Sequence, residues 1–281
     1  MLTGLLHRQY KILHRIVFPA KCLVCDRFFQ APDVDAAVVD DGGCQKVPAL
    51  LSLQSQLDRL LSSCLCQGCI RGLVAVESPI CDCCGLPFKS RSGADHRCSD
   101  CISEPKNFRI ARAALIYEQI LTRIIHSFKY RGKVQLAKPL AELLRTAFGL
   151  FWEKDRIDII LPVPLHLKRF RKRGFNQAYL LVRNWNTLAG QYPDQPAELQ
   201  IERNLLVRTV ATAPQSALGR AQRAVNIKNA FDLNDRDRVK DKSVLLIDDV
   251  YTTGATVNEC ARLLLDCGAR CVDVLTLARA V

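Results

Sequence analysis

The 281-residue chain has no uninterrupted apolar run approaching the roughly 18 residues that a membrane span requires. Its first segment, Met1 to Phe18, is leucine-rich, but His7, Arg8, Gln9 and Lys11 interrupt the apolar core that an export signal needs. A short amphipathic helix and a cytoplasmic location are therefore expected. Aromatic residues are scarce at 7%, yet 49% of the chain is hydrophobic, enough for an ordinary globular core. Neither the Walker A pattern nor G-x-G-x-x-G occurs, which removes the two commonest nucleotide-binding loops. Acidic residues are in deficit, 28 Asp/Glu against 40 Lys/Arg, for a net charge of +12. Residues 161–240 hold 14 Lys/Arg against 6 Asp/Glu, a local excess that favours an anionic partner: a phosphorylated small molecule, a nucleic acid, or both.

Cysteine is plentiful and unevenly placed. Of 14 cysteines, 11 fall within residues 22–101. They form four C-x-x-C pairs, Cys22/Cys25, Cys66/Cys69, Cys81/Cys84 and Cys98/Cys101, separated by 40, 11 and 13 residues. Two residues between thiolates let one tight knuckle place both sulfurs on a single ion, and two knuckles complete a tetrahedral zinc site. Pairing in sequence order is the simplest arrangement; first with third and second with fourth is the alternative. Either one fills all four positions with sulfur, so the zinc would be structural and would order a segment too loop-rich to fold on its own core. Cys44, Cys64 and Cys83 are left over, and Cys83 or His96 could replace a neighbouring ligand. Cys260, Cys267 and Cys271 read as small apolar residues of the last helix and strand. Asp33, Asp35, Asp40 and Asp41 before Gly42-Gly43 lack the EF-hand order and read as a solvated loop.

A cysteine-rich module over residues 1–107 and an α/β domain over 108–281 are the expected organisation, since the length exceeds that of a typical single domain. Leu50, Leu53, Leu57, Leu60 and Leu61 predict a helix face within the first part, packed on the module or on the main domain. From residue 108 strands and helices alternate. Ala111–Tyr117 and Ile157–Leu161 read as strands; Leu121, Ile124, Ile125 and Phe128, then Leu136, Leu140, Leu143 and Leu144, read as helix faces. That alternation predicts a doubly wound parallel sheet, whose ligands sit beyond the carboxyl ends of its strands.

The most specific stretch is Val244–Thr256. Val244–Ile247 is a continuous apolar run, as in a strand buried on both faces, and it leads into two adjacent carboxylates, Asp248 and Asp249. A Thr/Gly loop follows at once, then Val257, Ala261, Leu264 and Leu265 at helical spacing, with Gly268 as the stop. Strand, acidic pair, hydroxyl-rich loop and helix N-terminus together make a phosphate cradle. Upstream, a basic turn, Lys129-Tyr-Arg-Gly-Lys133, and five cations in six positions, Lys168 to Arg173, need a nearby anion or free solvation. The cations could clamp pyrophosphate or contact nucleic acid, with Phe170 and Phe175 available to stack on bases. A helix is expected over 176–188, with Trp185 in the core. No residue stands out as a general base.

The acidic pair and Thr/Gly loop resemble the 5-phosphoribosyl-1-pyrophosphate (PRPP) loop of the type I phosphoribosyltransferases. By that resemblance Asp248 and Asp249 hold the ribose hydroxyls and help orient hydrated Mg2+, while Thr252, Thr253, Gly254, Ala255 and Thr256 hold the 5-phosphate. Lys129, Arg131, Lys168, Arg171 and Arg173, with Arg223 on a flap over residues 203–229, are then the candidates for pyrophosphate or nucleic acid. The order of cysteine knuckles, Pro162-Val-Pro164, Arg171-Lys-Arg-Gly-Phe-Asn-Gln-Ala178, Gln215, Arg223, Asn226 and the PRPP-like loop is similar to the ComF family of competence-associated proteins. The resemblance implies a bacterial protein with an N-terminal zinc finger that handles single-stranded DNA in natural transformation, alongside competence-machinery proteins. Its acceptor for phosphoribosyl is not implied, and a non-catalytic PRPP or phosphate sensor is the alternative. The long spacer between the first two knuckles, Gln222 before Arg223, and Val210 depart from the family pattern.

Overall fold

Four strands, β3 (Ala111–Ile116), β4 (Ile159–Pro162), β7 (Ser243–Tyr251) and β8 (Cys271–Arg279), form a wholly parallel sheet in the order β3-β8-β7-β4 in the computed structural model. The structure describes residues 19–31, 52–90, 92–152, 157–186, 199–211 and 226–281. The expected N-terminal helix, the acidic loop, Leu50, Cys44 and the central flap residues Gln215, Gln222 and Arg223 lie outside the described residues.

Both faces of the sheet are covered, which explains the lack of polar alternation in its strands. Leu245 and Ile247 of β7 and Leu275 and Leu277 of β8 face one core, shared with α4 (Gln119–Tyr130) and α5 (Ala137–Phe151). Val244 and Leu246, with Val272 and Val274, face the other, shared with α8 (Ala255–Asp266) and the two-stranded ribbon β5 (Leu206–Arg208) and β6 (Phe231–Leu233). The doubly wound α/β fold is thus present, with successive β7 residues serving opposite layers.

The cysteine-bearing segment, which carries the short strands β1 (Ala20–Lys21) and β2 (Phe28–Phe29) and the short helices α2 (Gln67–Ile70) and α3 (Ser99–Ser103), is shared between these layers. Helix α1 (Leu53–Leu61), started by the Ser52 cap, buries Leu53, Leu57, Leu60 and Leu61 in the same core as Leu140, Leu143 and Leu144 of α5. Cys22 and Cys69 belong to that first core, whereas Cys81, Cys84, Cys98 and Cys101 belong to the second. Backbone bonds tie the segment to the edge strand: Val76 N–H donates to Ala114 O, Ile116 N–H to Val74 O, and Ala111 N–H to Cys83 O. Across the sheet, fully buried Asp273 accepts from Arg109 Nε at 3.0 Å and from Trp152 Nε1 at 2.8 Å, joining β8 to the residues before β3 and to the end of α5.

Three elements differ from expectation. Strand β7 runs through Tyr251, so the acidic pair lies inside the strand; pairing of Tyr251 with Arg279 of β8 carries the ladder that far. Lys129 sits in the last turn of α4, because the apolar face continues to Phe128 and the chain leaves the helix only before Gly132, at φ 64°. Of the helix expected over 176–188, described only as far as residue 186, the α-helical part is α7 (Gln177–Leu180), after which Val182 N–H bonds to Tyr179 O and Trp185 N–H to Val182 O, three residues back. That tightening seats Trp185, fully buried, against Phe148 at 5.4 Å between ring centroids.

Candidate functional site

The carboxyl end of β7 presents the acidic pair on opposite sides of the strand. Asp249, 4% exposed, points toward α4, where Lys129 Nζ meets its Oδ2 at 2.5 Å. Burial alone would lower the Lys129 ammonium, but the Asp249 carboxylate, with Asp248 nearby, holds it above the ordinary lysine range. Asp248 is more accessible than its neighbour, and its Oδ1 accepts from Asp249 N–H at 2.8 Å. Desolvation and the adjacent Asp249 charge push the Asp248 carboxyl up to about 7, with Lys129 opposing. One carboxylate is therefore tied down by an ion pair, and the other is partly exposed without one.

The loop turns on Gly254 at φ 77°, directly before the N-terminus of α8. A side chain there is excluded twice: by the left-handed backbone, and because a Cβ would lie 2.2 Å from Tyr251 Oη. Thr253 Oγ1 accepts from Ala255 N–H at 3.4 Å, and Thr252, Thr253, Ala255 and Thr256 are all partly exposed around the turn. The first turn of α8 follows this hydroxyl-rich turn directly, a local order suited to a single oxyanion.

The cationic run folds as α6 (Leu167–Arg173), started by the His166 side chain, which accepts from Lys168 N–H, and ended by Gly174 at φ 83°. Folding as a helix separates the cations into two groups. Lys168, Arg171 and Lys172 are exposed, whereas Arg169 and Arg173, one turn apart, are partly buried. Arg173 bonds Gln177 Oε1, lies 5.1 Å from the Tyr130 ring and is near enough to Lys129 to repel it. Arg208 on β5 lies 5.4 Å from the Phe231 ring; burial and repulsion from Arg169 lower its pKa, and Asp248 acts against that. Arg131 is exposed at the end of α4, Phe175 packs against Phe128, and Arg223 lies outside the described residues.

Arg169 and Arg208 were not picked out by sequence. Arg169 is one of five cations in six positions, where periodicity has no contrast, and Arg208 lies in a segment with no motif. The i, i+4 spacing of 169 and 173 on a helix is the signal that sets this partly buried pair apart.

The eight knuckle cysteines form two tetrads, Cys22, Cys25, Cys66 and Cys69, and Cys81, Cys84, Cys98 and Cys101, with all sulfurs of each within 4.8 Å of one another. The pairing follows sequence order despite the 40-residue gap. Tetrahedral zinc with bonds of about 2.3 Å needs S–S edges of about 3.8 Å. The separations are 3.8 Å for Cys22–Cys69, 3.6 Å for Cys25–Cys66 and 3.7 Å for Cys84–Cys98. Donors surround the sulfurs as well: Cys84 N–H and Cys98 N–H each reach Cys81 Sγ at 3.4 Å. Burial would raise the Cys81 thiol, yet these amides, with that of Cys83, hold it down to about 7; amides of Cys25, Cys66 and Val24 do the same for Cys22. The donor set fits a structural zinc at each tetrad. Cys83 is buried beside the second tetrad without joining it, and His96 stacks on Phe88 at 4.0 Å.

Comparison with known proteins agrees with these features. Residues 198–280 match the phosphoribosyl transferase domain family. The chain is 33% identical over 225 residues to the DNA utilization protein YhgH of Escherichia coli K12, covering 76% of this chain and 90% of that protein. It is 30% identical over 220 residues to competence protein F of Haemophilus influenzae, covering 77% and 90%. It is 28% identical over 222 residues to competence protein ComFC of Bacillus subtilis, covering 76% and 84%. With a parallel-sheet phosphoribosyltransferase domain, paired cysteine tetrads and relatives of this identity along most of its length, the chain belongs to the ComF/YhgH family.

Proposed function

We propose that the chain binds PRPP together with Mg2+ at the β7–α8 loop, and that it handles single-stranded DNA in the cytoplasm during DNA uptake. The observation that carries the PRPP reading is the split acidic pair feeding a Gly254 turn into the α8 N-terminus. In this reading Asp248 takes the ribose hydroxyls, and Asp249 fixes Lys129 beside the place where pyrophosphate lies. Thr252 to Thr256 and the α8 amides hold the 5-phosphate. Lys129, Arg169, Arg173 and Arg208 supply positive charge to the departing side, where it counts most as negative charge develops in a low-dielectric site. Mg2+, when bound with PRPP, supplies further neutralisation of the diphosphate. The relatives' names, DNA utilization and competence, support the DNA role, and competence-machinery proteins are the partner class that goes with it.

Calorimetric titration of Mg2+–PRPP tests the site. Asp248→Asn is the sharper variant, because it leaves the Asp249–Lys129 pair whole; a loss of at least a hundredfold in affinity is expected. Unchanged affinity would remove Asp248 from the site. The same titration carries a pH dependence. Asp248 must ionise to accept hydroxyl hydrogens or a hydrated cation, so affinity is expected to fall about tenfold per pH unit below about 7, and the Asp248→Asn variant to lack that component. Folding moves the other way: a carboxyl held protonated in the native state makes the chain lose stability as pH rises from about 4 toward 7. Turnover is read separately, as pyrophosphate release across a panel of bases, amines and DNA ends. Binding without release on every acceptor would favour the sensor reading.

The exposed cations of α6 support the DNA reading, since Lys168, Arg171 and Lys172 are open to solvent whereas Arg169 and Arg173 are partly buried. If Lys168, Arg171 and Lys172 each neutralise one phosphate, single-stranded DNA affinity should fall with salt at a log–log slope steeper by about 2 than in the triple Glu variant. Equal slopes in the two proteins would move DNA off this helix.

A further inference from the structure

We infer that Arg279, the last residue of β8, is a positioning residue that braces the proposed phosphate loop against the second cysteine tetrad, so that the state of the metal site is felt at the ligand site. The inference rests on the PRPP reading only for its consequence, since the brace itself is a matter of contacts.

Arg279 is 7% exposed and connects three things at once. Its Nη1 donates to Thr252 O at 3.0 Å, the carbonyl that opens the loop, and to Ala280 O at 2.6 Å. Its Nε donates to Cys84 O at 3.2 Å, and its Nη2 reaches Cys84 Sγ at 3.6 Å. Its guanidinium carbon lies 4.3 Å from the centre of the Tyr251 ring, the ring whose hydroxyl would collide with any side chain at Gly254. The backbone is pinned too: Arg279 pairs with Tyr251 of β7 and with Ile116 of β3, and its carbonyl accepts from Tyr117 N–H at 2.7 Å.

A guanidinium this buried needs countercharge as well as hydrogen-bond acceptors. Carbonyls supply acceptors only. Four thiolates on one zinc dication keep a net negative charge, and Arg279 donates to one of them. The planar fork makes the geometry possible: one edge faces the tetrad and the other faces the loop, which an ammonium on a flexible stem cannot reproduce. Donors to ligand sulfurs orient and tune metal sites, so the coupling runs in both directions. Among the described residues, Arg279 thus links the cysteine segment directly to the loop proposed to hold the 5-phosphate.

The test uses the zinc-loaded full-length chain and Arg279→Lys. Hydrogen exchange at the amides of residues 252–256, measured without ligand, should accelerate at least tenfold in the variant relative to the amides of β3, with zinc content unchanged. Mg2+–PRPP affinity should fall about tenfold. Loop exchange equal to wild type, or accelerating only in step with β3, would overturn the brace. If the variant does not fold, wild-type chain loaded with 113Cd decides: adding Mg2+–PRPP should shift the cadmium resonance of the second tetrad and leave the first unmoved, and equal or absent shifts overturn the coupling. Absence of PRPP binding by wild type overturns the PRPP reading alone, because the ligand-free exchange comparison still decides the role of Arg279.

Discussion

Full-length chain purified under reducing conditions is expected to carry two zinc ions per molecule, and stripping both at neutral pH is expected to unfold the α/β core as well as the cysteine segment. The reason lies in where the tetrads sit. Cys22 and Cys69 share a core with α1, α4 and α5; Cys81, Cys84, Cys98 and Cys101 share the other with α8 and the second face of β7. Without metal, four sulfurs within 4.8 Å of one another must be held close by packing alone, with the first cysteine of each tetrad inclined toward thiolate. Structural zinc sites are worth about 10–16 kcal/mol in small peptides, comparable to the whole 5–15 kcal/mol stability of an ordinary protein. Atomic emission gives the stoichiometry; far-UV circular dichroism before and after chelation gives the consequence. Replacing Cys81 and Cys98 with serine should leave one ion and the same collapse. Native dichroism and native exchange protection of β7 in the metal-free chain would show that the sulfurs are incidental to the fold.

The parts of this architecture legible in sequence are those where one local signal suffices. The apolar run Val244–Ile247 and the strand reading at Ala111–Tyr117 mark strands of the sheet, and the leucines of α1 and α5 mark their helix faces by period alone. The C-x-x-C spacing marks knuckles, and the pairing order, left open by the gaps, is resolved only when the two cores place the tetrads apart. What escaped depends on long-range position. The inward set of cations became visible only once α6 was a helix, because five of six neighbours were basic and periodicity carried no contrast. Lys129 stands out in sequence as a cation of a basic turn, but its bond to Asp249 spans 120 positions and carries no local signal. Arg279 belongs to no sequence motif, and only parallel pairing of β8 with β7 and β3 buries it between two sites.

The ion pair of Lys129 and Asp249 gives the second large effect, and a sign that separates charge from packing. Lys129→Met is expected to cost about 3–5 kcal/mol of unfolding free energy at neutral pH, the usual penalty for leaving a buried charge without its partner. The Asp249 carboxylate is 4% exposed, so it cannot recover solvation in place. Arg173 is close, but its guanidinium is engaged with Gln177 Oε1 and the Tyr130 ring, which keeps it from swinging across without loss. The double variant Lys129→Met with Asp249→Leu removes both charges and should regain most of the loss, while abolishing any function that needs the pair. Urea unfolding at neutral pH for the wild type, the single variant and the double variant measures both claims. A deficit that persists in the double variant would mean that Lys129 supports α4 through its packed stem, and that its charge is free for the ligand.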